Sequence, residues 1–187
     1  MKEIEINKQA MLSQHLASPS EAALSHSNEL DGLRLTPHFS LGELTKTSYH
    51  TADGNIPPRT AVENLINLCE NWLEELRFSY NTLYCLNPGE DYETSEDVQG
   101  IRINSGYRSP EVNQKCGGAK NSNHLTGCAV DIHCAGKEQA IRYACILLDI
   151  ADGKKLDFDE LILEKRGTTI WVHFAVRPKG NRRYVDF

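Results

Sequence analysis

Apolar residues recur with helical spacing in two stretches of the chain. In the first, they follow the i, i+3, i+4, i+7 rule at Val62, Leu65, Ile66, Cys69, Trp72, Leu73 and Leu76. Thr60 and Glu63 match a capping box, which predicts that this helix begins at Thr60. The second stretch has the same period at Ala140, Ile141, Ala144, Leu147, Leu148 and Ala151, with Gly153 as its expected end. Both apolar stripes are predicted to pack on a core, and Trp72 is interpreted as a packing residue.

Alternation with period two predicts the strands. Residues 101–104 form a short candidate, and residues 127–133 alternate cleanly between an apolar and a more polar face. Residues 160–164 and 169–176 resemble a hairpin around residues 165–168. Because the helical and strand segments alternate without a regular βαβ rhythm, an antiparallel sheet with flanking helices is favoured. The predicted fold class is α+β.

The connecting segments contain recognisable turn and cap residues. Ser109 with Pro110 predicts a short helix that ends at Gly117. Residues 53–58 are dense in turn residues, and the acidic residues 87–97 are interpreted as a solvated loop. Residues 1–35 show no sustained apolar period and are predicted to be an N-terminal extension, as a tail or an irregular arm, before one domain over residues 36–187.

The composition of the chain limits which partners and which cellular locations are expected. The 20 basic and 26 acidic side chains give a net charge of -6, which disfavours nucleic acid as a partner. No apolar run is long enough to predict membrane insertion, and residues 1–16 lack the apolar core of a secretory signal, so synthesis in the cytoplasm is expected. The 6 cysteines lack C-x-x-C spacing and are expected to be reduced and mostly buried. Nothing encodes an oligomeric state, and a monomer is favoured.

Three residues are candidates for holding a metal ion. In the last predicted strand, His173 points away from the apolar face, as Asp131 does in its own strand. His124 stands seven residues before Asp131, at the end of a polar loop. Two imidazoles and one carboxylate suit zinc and leave a fourth position for a water molecule. Each residue alone also fits an ordinary hydrogen-bonding role, so spacing by itself leaves both interpretations open.

Several separated motifs resemble one peptidase family. Residues 122–131 read S-x-H-x-x-G-x-A-x-D, residues 105–109 read SGYRS, and residues 171–173 read WVH. With FSLGEL at residues 39–44 and GGA at residues 117–119, they occur in the order and spacing of family M15. This family contains the zinc D-Ala-D-Ala peptidases and shares its fold with the hedgehog signalling domain. The resemblance spans residues 37–177 and is strongest to the branch common in phages and Bacteroidetes-like bacteria.

The resemblance implies a function and a set of site residues. His124, Asp131 and His173 would be the zinc ligands, and Arg108 would face the substrate near the scissile bond. The implied substrate is the peptidoglycan stem peptide, cut either at a terminal D-Ala or at a cross-link. The protein would then act at the cell wall after release, in a phage or prophage setting.

The resemblance does not by itself identify the residue that acts as general base. Many M15 members carry an acidic residue just before the last histidine, where this chain has Ile170, Trp171 and Val172. Glu164 is therefore the predicted base, with Glu160 in reserve. A two-residue turn at 166–167 would place Glu160 across from His173, whereas a longer turn with a bulge would bring Glu164 over the metal. The choice between these registers stays open at this stage.

Three further residues are assigned from their position. Ser122 is expected to tie down the metal-binding loop and, with Arg108 and Trp171, to line the substrate site. Trp171 also fits simple packing, and His133 fits either a supporting role behind the metal or an ordinary exposed histidine.

Two rival functions belong to other classes. One is a zinc-containing cell-wall or protein-binding module without turnover, which the displaced acidic residue keeps open. The other is a 2-His-1-carboxylate iron oxygenase, which usually places its first histidine and carboxylate two residues apart.

Overall fold

The structure, a computed structural model, describes residues 32–187. Most of the predicted N-terminal extension therefore lies outside the described residues. Within the described part, Leu35 is already buried and Arg34 bridges to Ser40, so packing begins just before the predicted domain border at residue 36.

In chain order the elements are α1 (Leu41–Thr45), α2 (Arg59–Leu68), a π-helical turn (Cys69–Leu73), α3 (Glu74–Tyr84), β1 (Ile103–Ser105), α4 (Pro110–Lys115), a 3-10 turn (Asn123–Thr126), β2 (Ala129–Cys134), α5 (Lys137–Lys154), β3 (Glu160–Arg166), β4 (Thr169–Ala175) and β5 (Tyr184–Asp186).

The two predicted amphipathic helices are present, with different ends. Helix α2 begins at Arg59 behind Pro58, and no side chain caps it. The predicted capping box is wrong because Thr60 already lies within the first turn. Helix α5 continues through Gly153 and stops where Lys155 adopts a left-handed φ of 54°. The predicted cap of α4 is confirmed, since the Ser109 hydroxyl accepts a hydrogen bond from the Val112 N–H.

Five strands form one sheet in the order β1-β2-β4-β3-β5. All neighbouring pairs are antiparallel except β3 and β5, which are parallel. The predicted α+β class is confirmed. Strand β5 was not predicted, because its exposed residues lack an apolar alternation.

The core lies between one face of the sheet and the three long helical segments. Val130, Val172 and Phe174 from the sheet are buried there. Trp72 packs against them, with its ring centroid 4.8 Å from that of Phe174, so its predicted packing role is confirmed. The opposite face of the sheet carries Asp131 and His173, which leaves that face available for a site.

All six cysteines lie within the described region, and none of them forms a disulfide bond there. Cys69, Cys128 and Cys134 are buried, whereas Cys145 is exposed, so the expectation of mostly buried thiols holds for half of them.

Between residues 32 and 187, none of the helices combines the length and the apolar character needed to cross a membrane.

Candidate metal centre

The fold brings His124, Asp131 and His173 together. Asp131 and His173 are direct partners in the β2–β4 register, so their side chains project from the same face of the sheet. His124 reaches them from the 3-10 turn that precedes β2. Asp131 Oδ1 lies 3.3 Å from His124 Nε2 and 2.9 Å from His173 Nδ1. The ligand atoms of the three residues all lie within 4.8 Å of one another.

His124 is held in one orientation by backbone groups. Its Nδ1 lies 2.6 Å from the Gly106 carbonyl oxygen, to which it donates, so Nε2 is the nitrogen that faces Asp131 and is available to a metal ion. The Ser122 hydroxyl accepts a hydrogen bond from the His124 N–H, as its predicted loop-anchoring role requires. The Arg108 N–H donates to the His124 carbonyl oxygen over 3.1 Å. This buried histidine is therefore fixed from both sides.

The donor set and its spacing fit a zinc ion. Tetrahedral zinc with ligand bonds near 2.0–2.2 Å separates its ligand atoms by about 3.3 Å. The observed separations of 3.3 Å and 2.9 Å are close to that value. Burial by itself would raise the pKa of Asp131, but the two neighbouring imidazoles hold it well below its usual range. Against burial, hydrogen bonds to Asp131 and Glu160 raise the pKa of His173 to about 9. The centre therefore favours a bound cation.

Arg108 holds the second oxygen of the candidate carboxylate ligand. Its Nη2 forms an ion pair with Asp131 Oδ2, and its Nε donates to the Ser105 hydroxyl over 2.8 Å. Asp131 Oδ1 is therefore the oxygen that faces the two histidines. A guanidinium has five N–H donors, so three remain for other ligands.

Asn55 fixes the backbone on both sides of Arg108, and sequence analysis missed it. Its side-chain N–H groups donate to the carbonyl oxygens of Thr45 and Tyr107, and its Oδ1 accepts from the Ser109 N–H over 2.7 Å. The side chain is 1% exposed. An asparagine in a turn-dense segment predicts only a turn, so its long-range contacts left no signal.

The register of the hairpin differs from both registers considered. Arg166 pairs with Thr169, so residues 167 and 168 form the turn and Ile162 lies across from His173. Glu160 and Glu164 flank Ile162 on the same face, across from Ala175 and Trp171. The expectation that a two-residue turn would start at Arg166 was wrong, because Arg166 remains paired in the strand.

The two glutamates differ in their contacts. Glu160 Oε2 lies 3.2 Å from His173 Nε2 and accepts from the Asn123 amide over 2.9 Å, while Oε1 pairs with Arg182. The hydrogen bond with His173, helped by those from Asn123 and Arg182, lowers the pKa of Glu160 to about 2. Glu164 lines the same cleft, and its side chain makes no hydrogen bond or ion pair with any residue in the 32–187 range.

A buried carboxylate behind Glu160 ties the site to the C-terminal segment. Asp159 is 0% exposed and accepts hydrogen bonds from Asn123, Arg177 and Arg182 at 2.7–2.9 Å. Asn123 adjoins His124, so this network joins the metal-binding loop, the start of β3 and the segment before β5. Sequence analysis missed it because Asp159 has no motif and its partners are distant in the chain.

The Asp159 network predicts a pH-dependent loss of stability. Burial raises the pKa of Asp159, but its hydrogen bonds and the two guanidiniums lower it to about 2 from 3.8. Its stabilising contribution is therefore complete above about pH 4 and is lost as the pH falls through 2. Asp159→Asn is expected to lower the free energy of unfolding by about 2 kcal/mol at pH 7. In urea titrations, this difference from wild type should shrink at pH 3.

Asp157→Asn is the matched control for that experiment. Asp157 is 53% exposed, and its only described ion pair, with Arg183, spans 3.9 Å. Its replacement should change the free energy of unfolding by less than about 0.5 kcal/mol. Equal effects of the two substitutions would contradict the role given to Asp159.

Gly127 closes the metal-binding loop and tolerates no side chain. It has a φ of 69°, and a Cβ atom there would lie 2.4 Å from the Ala61 carbonyl oxygen. Gly127→Ala is therefore expected to destabilise the protein by more than the roughly 1–2 kcal/mol of a left-handed alanine alone. Gly167→Ala is the control, since Gly167 has a φ of 61° and no atom within 4 Å of its added Cβ. Thermal unfolding of the two variants should show the larger loss for Gly127→Ala; equal losses would contradict the predicted clash.

The candidate centre lies in a cleft of about 690 Å³. Of the residues predicted to contact substrate, Arg108, Ser122 and Trp171 all line it. His133 is half-buried beside Trp171 in the β2–β4 register and lies outside the lining. The Trp171 indole N–H is buried and has no acceptor among the described residues.

Part of the chain matches the model of a known protein family. Residues 90–161 match the family model described as Peptidase M15. This segment contains Arg108, His124, Asp131 and Glu160, and it confirms the resemblance found in the sequence. Glu164 and His173 follow the matched segment. A search of curated proteins found no match.

Proposed function

We propose that this chain, which carries a peptidase M15 region over residues 90–161, hydrolyses peptide bonds with a zinc ion held by His124, Asp131 and His173. The observation that carries the proposal is the convergence of their three ligand atoms in an open cleft. Bound zinc would supply a Lewis acid that polarises a carbonyl group and lowers the pKa of a water molecule. An iron oxygenase is disfavoured, because the matched family is one of peptidases.

Glu164 is the proposed general base. It lines the cleft next to the centre, and its side chain makes no hydrogen bond or ion pair within residues 32–187, so its carboxylate is available to take a proton from the attacking water. Glu160 is occupied by His173, Asn123 and Arg182, so its carboxylate is not available to a water molecule. Its contact with His173 Nε2 instead suits a carboxylate that orients a metal ligand.

Arg108 is proposed to contact the substrate carbonyl. Two of its N–H groups are committed to Asp131 and Ser105, which fix the guanidinium beside the centre. The remaining N–H groups can donate to the oxyanion that develops when the carbonyl is attacked. Because the guanidinium is already held, little side-chain entropy is lost when it engages the substrate.

The proposed substrate is the peptidoglycan stem peptide, as the M15 resemblance implies. The cut would fall at a terminal D-Ala, as in a D-Ala-D-Ala carboxypeptidase, or at a cross-link, as in an endopeptidase. The protein would reach the wall after release in a phage or prophage setting.

The test is mass spectrometry of products. Stem pentapeptides and cross-linked muropeptides are incubated with zinc-loaded protein and, separately, with the Asp131→Asn variant. Release of D-Ala or of separated cross-links by the wild type alone would support the proposal and name the bond. Survival of every substrate with one zinc bound per chain would favour a binding module instead.

A further inference from the structure

A second depression adjoins the metal cleft on the other side of Arg108. It has a volume of about 420 Å³ and shares Arg108 and Cys116 with the cleft. Its lining comprises Lys46, Thr47, Ser48, Tyr49, Arg102, Ile103, Asn104, Ser105, Tyr107, Arg108, Val112 and Cys116. Because one guanidinium belongs to both linings, a single extended ligand can occupy the two spaces at once.

The lining of this depression is basic. Lys46, Arg102 and Arg108 contribute three cations, of which Arg108 is already paired with Asp131, and no aspartate or glutamate lines it. The whole chain has a net charge of -6, so such a concentration of positive charge is not a reflection of composition. Glu43 on α1 lies within electrostatic reach of Lys46 but outside the lining. Arg102 forms no ion pair with any residue between 32 and 187, so its charge is available to a ligand.

The floor of the depression is apolar. Ile103, Tyr107 and Val112 are buried there, and the hydroxyl-bearing Thr47, Ser48 and Tyr49 lie among the other lining residues. An apolar floor below cations favours a carboxylate on an aliphatic or peptide chain over a strongly hydrated inorganic anion. A guanidinium binds a carboxylate well, because its planar donors match the two oxygens.

We infer that Lys46, Arg102 and the adjoining side of Arg108 form a basic subsite that binds a carboxylate of the peptide substrate away from its scissile bond. This inference rests on the proposed function, since it places the reacting carbonyl at the metal centre. A peptide that crosses Arg108 would be held at two points, its carbonyl on one side and its carboxylate on the other. The subsite would thereby select acidic peptides from among those that fit the cleft.

The test compares two peptides that differ in one group. The first is a fluorescein-labelled stem pentapeptide whose second residue carries a free carboxylate; in the second, that carboxylate is an amide. Fluorescence anisotropy with zinc-loaded protein, recorded on mixing and before hydrolysis proceeds, gives the dissociation constant of each. Wild type should bind the carboxylate form about fivefold to tenfold more tightly, as expected for a charge-assisted contact.

Two substitutions test whether Arg102 and Lys46 cause the preference for the carboxylate form of the peptide. Arg102→Gln should bring the two dissociation constants to within about twofold, and Lys46→Gln should reduce their ratio in part. Lys179→Gln is the control: it makes the same charge change at an exposed residue outside both linings and should keep the wild-type ratio. Thermal unfolding of each variant checks that it is folded.

The outcomes separate the two proposals. Selectivity for the carboxylate that disappears in Arg102→Gln supports the subsite, even if neither peptide is cleaved and the proposed hydrolysis fails. Equal binding of the two peptides by wild type, or selectivity that survives in both Arg102→Gln and Lys46→Gln, would overturn the subsite. Absence of binding by either peptide would overturn it as well.

Discussion

Replacement of His124 by alanine is expected to abolish peptide hydrolysis and to remove zinc from the protein. His124 is 2% exposed, and its Nε2 lies 3.3 Å from Asp131 Oδ1. Loss of a supporting residue around zinc weakens metal binding by about 10–100-fold, and loss of a ligand itself should exceed that range. Zinc content after dialysis, measured by atomic emission, and hydrolysis of a stem peptide follow the two losses separately.

His133→Ala is the matched control for that substitution. His133 lies on the same strand face as Asp131 but outside the cleft lining, so its variant should retain zinc and most of the hydrolysis. If His124→Ala bound zinc as tightly as the wild type, the assignment of the ligands would be wrong. A loss of zinc in His133→Ala equal to that in His124→Ala would also contradict it.

Glu164→Gln should reduce kcat by about 10²–10⁴-fold while zinc binding is retained. The amide keeps the shape of the side chain and removes its ability to take a proton, and Glu164 contacts none of the proposed ligands through a described hydrogen bond. Steady-state hydrolysis of a stem peptide, together with zinc content, measures the two effects. The same substitution at Glu160 should act differently, weakening zinc binding because it disturbs the hydrogen bond to His173.

The comparison of the two glutamates decides the base. If Glu160→Gln lost kcat with its zinc intact, and Glu164→Gln hydrolysed normally, Glu160 would be the base and the role given to Glu164 would fail. If both variants hydrolysed at the wild-type rate, neither glutamate would be the base.

Local patterns were sufficient to predict the two amphipathic helices and the polar face of the sheet. The apolar period around Trp72 and the alternation around Asp131 and His173 describe neighbours along one segment, which a sequence displays directly. The short spacing from His124 to Asp131 likewise keeps these residues on adjacent turn and strand. The family resemblance then related them to His173, and the β2–β4 register places it directly beside Asp131.

The parts that sequence analysis missed depend on contacts between distant segments. The hairpin turn lies at residues 167–168, one residue later than the turn at 166–167 that would place Glu160 opposite His173. This shift places Ile162 there instead, and the two turns overlap in sequence. Asn55 contacts Tyr107 and Ser109 more than fifty residues away, so it resembles any turn asparagine. Asp159 acquires its role only when β5 pairs in parallel with β3 and brings Arg182 beside it.

Reconstitution with zinc tests the central claim most directly. Wild-type protein is stripped of metal with a chelator, and hydrolysis of a stem peptide is measured as zinc is added back, beside the Asp131→Asn variant. The proposed centre predicts that hydrolysis is absent without metal, returns in full at about one zinc per chain, and does not return in the variant. Full hydrolysis by the stripped wild type, or equal recovery in Asp131→Asn, would contradict a zinc peptidase built on His124, Asp131 and His173.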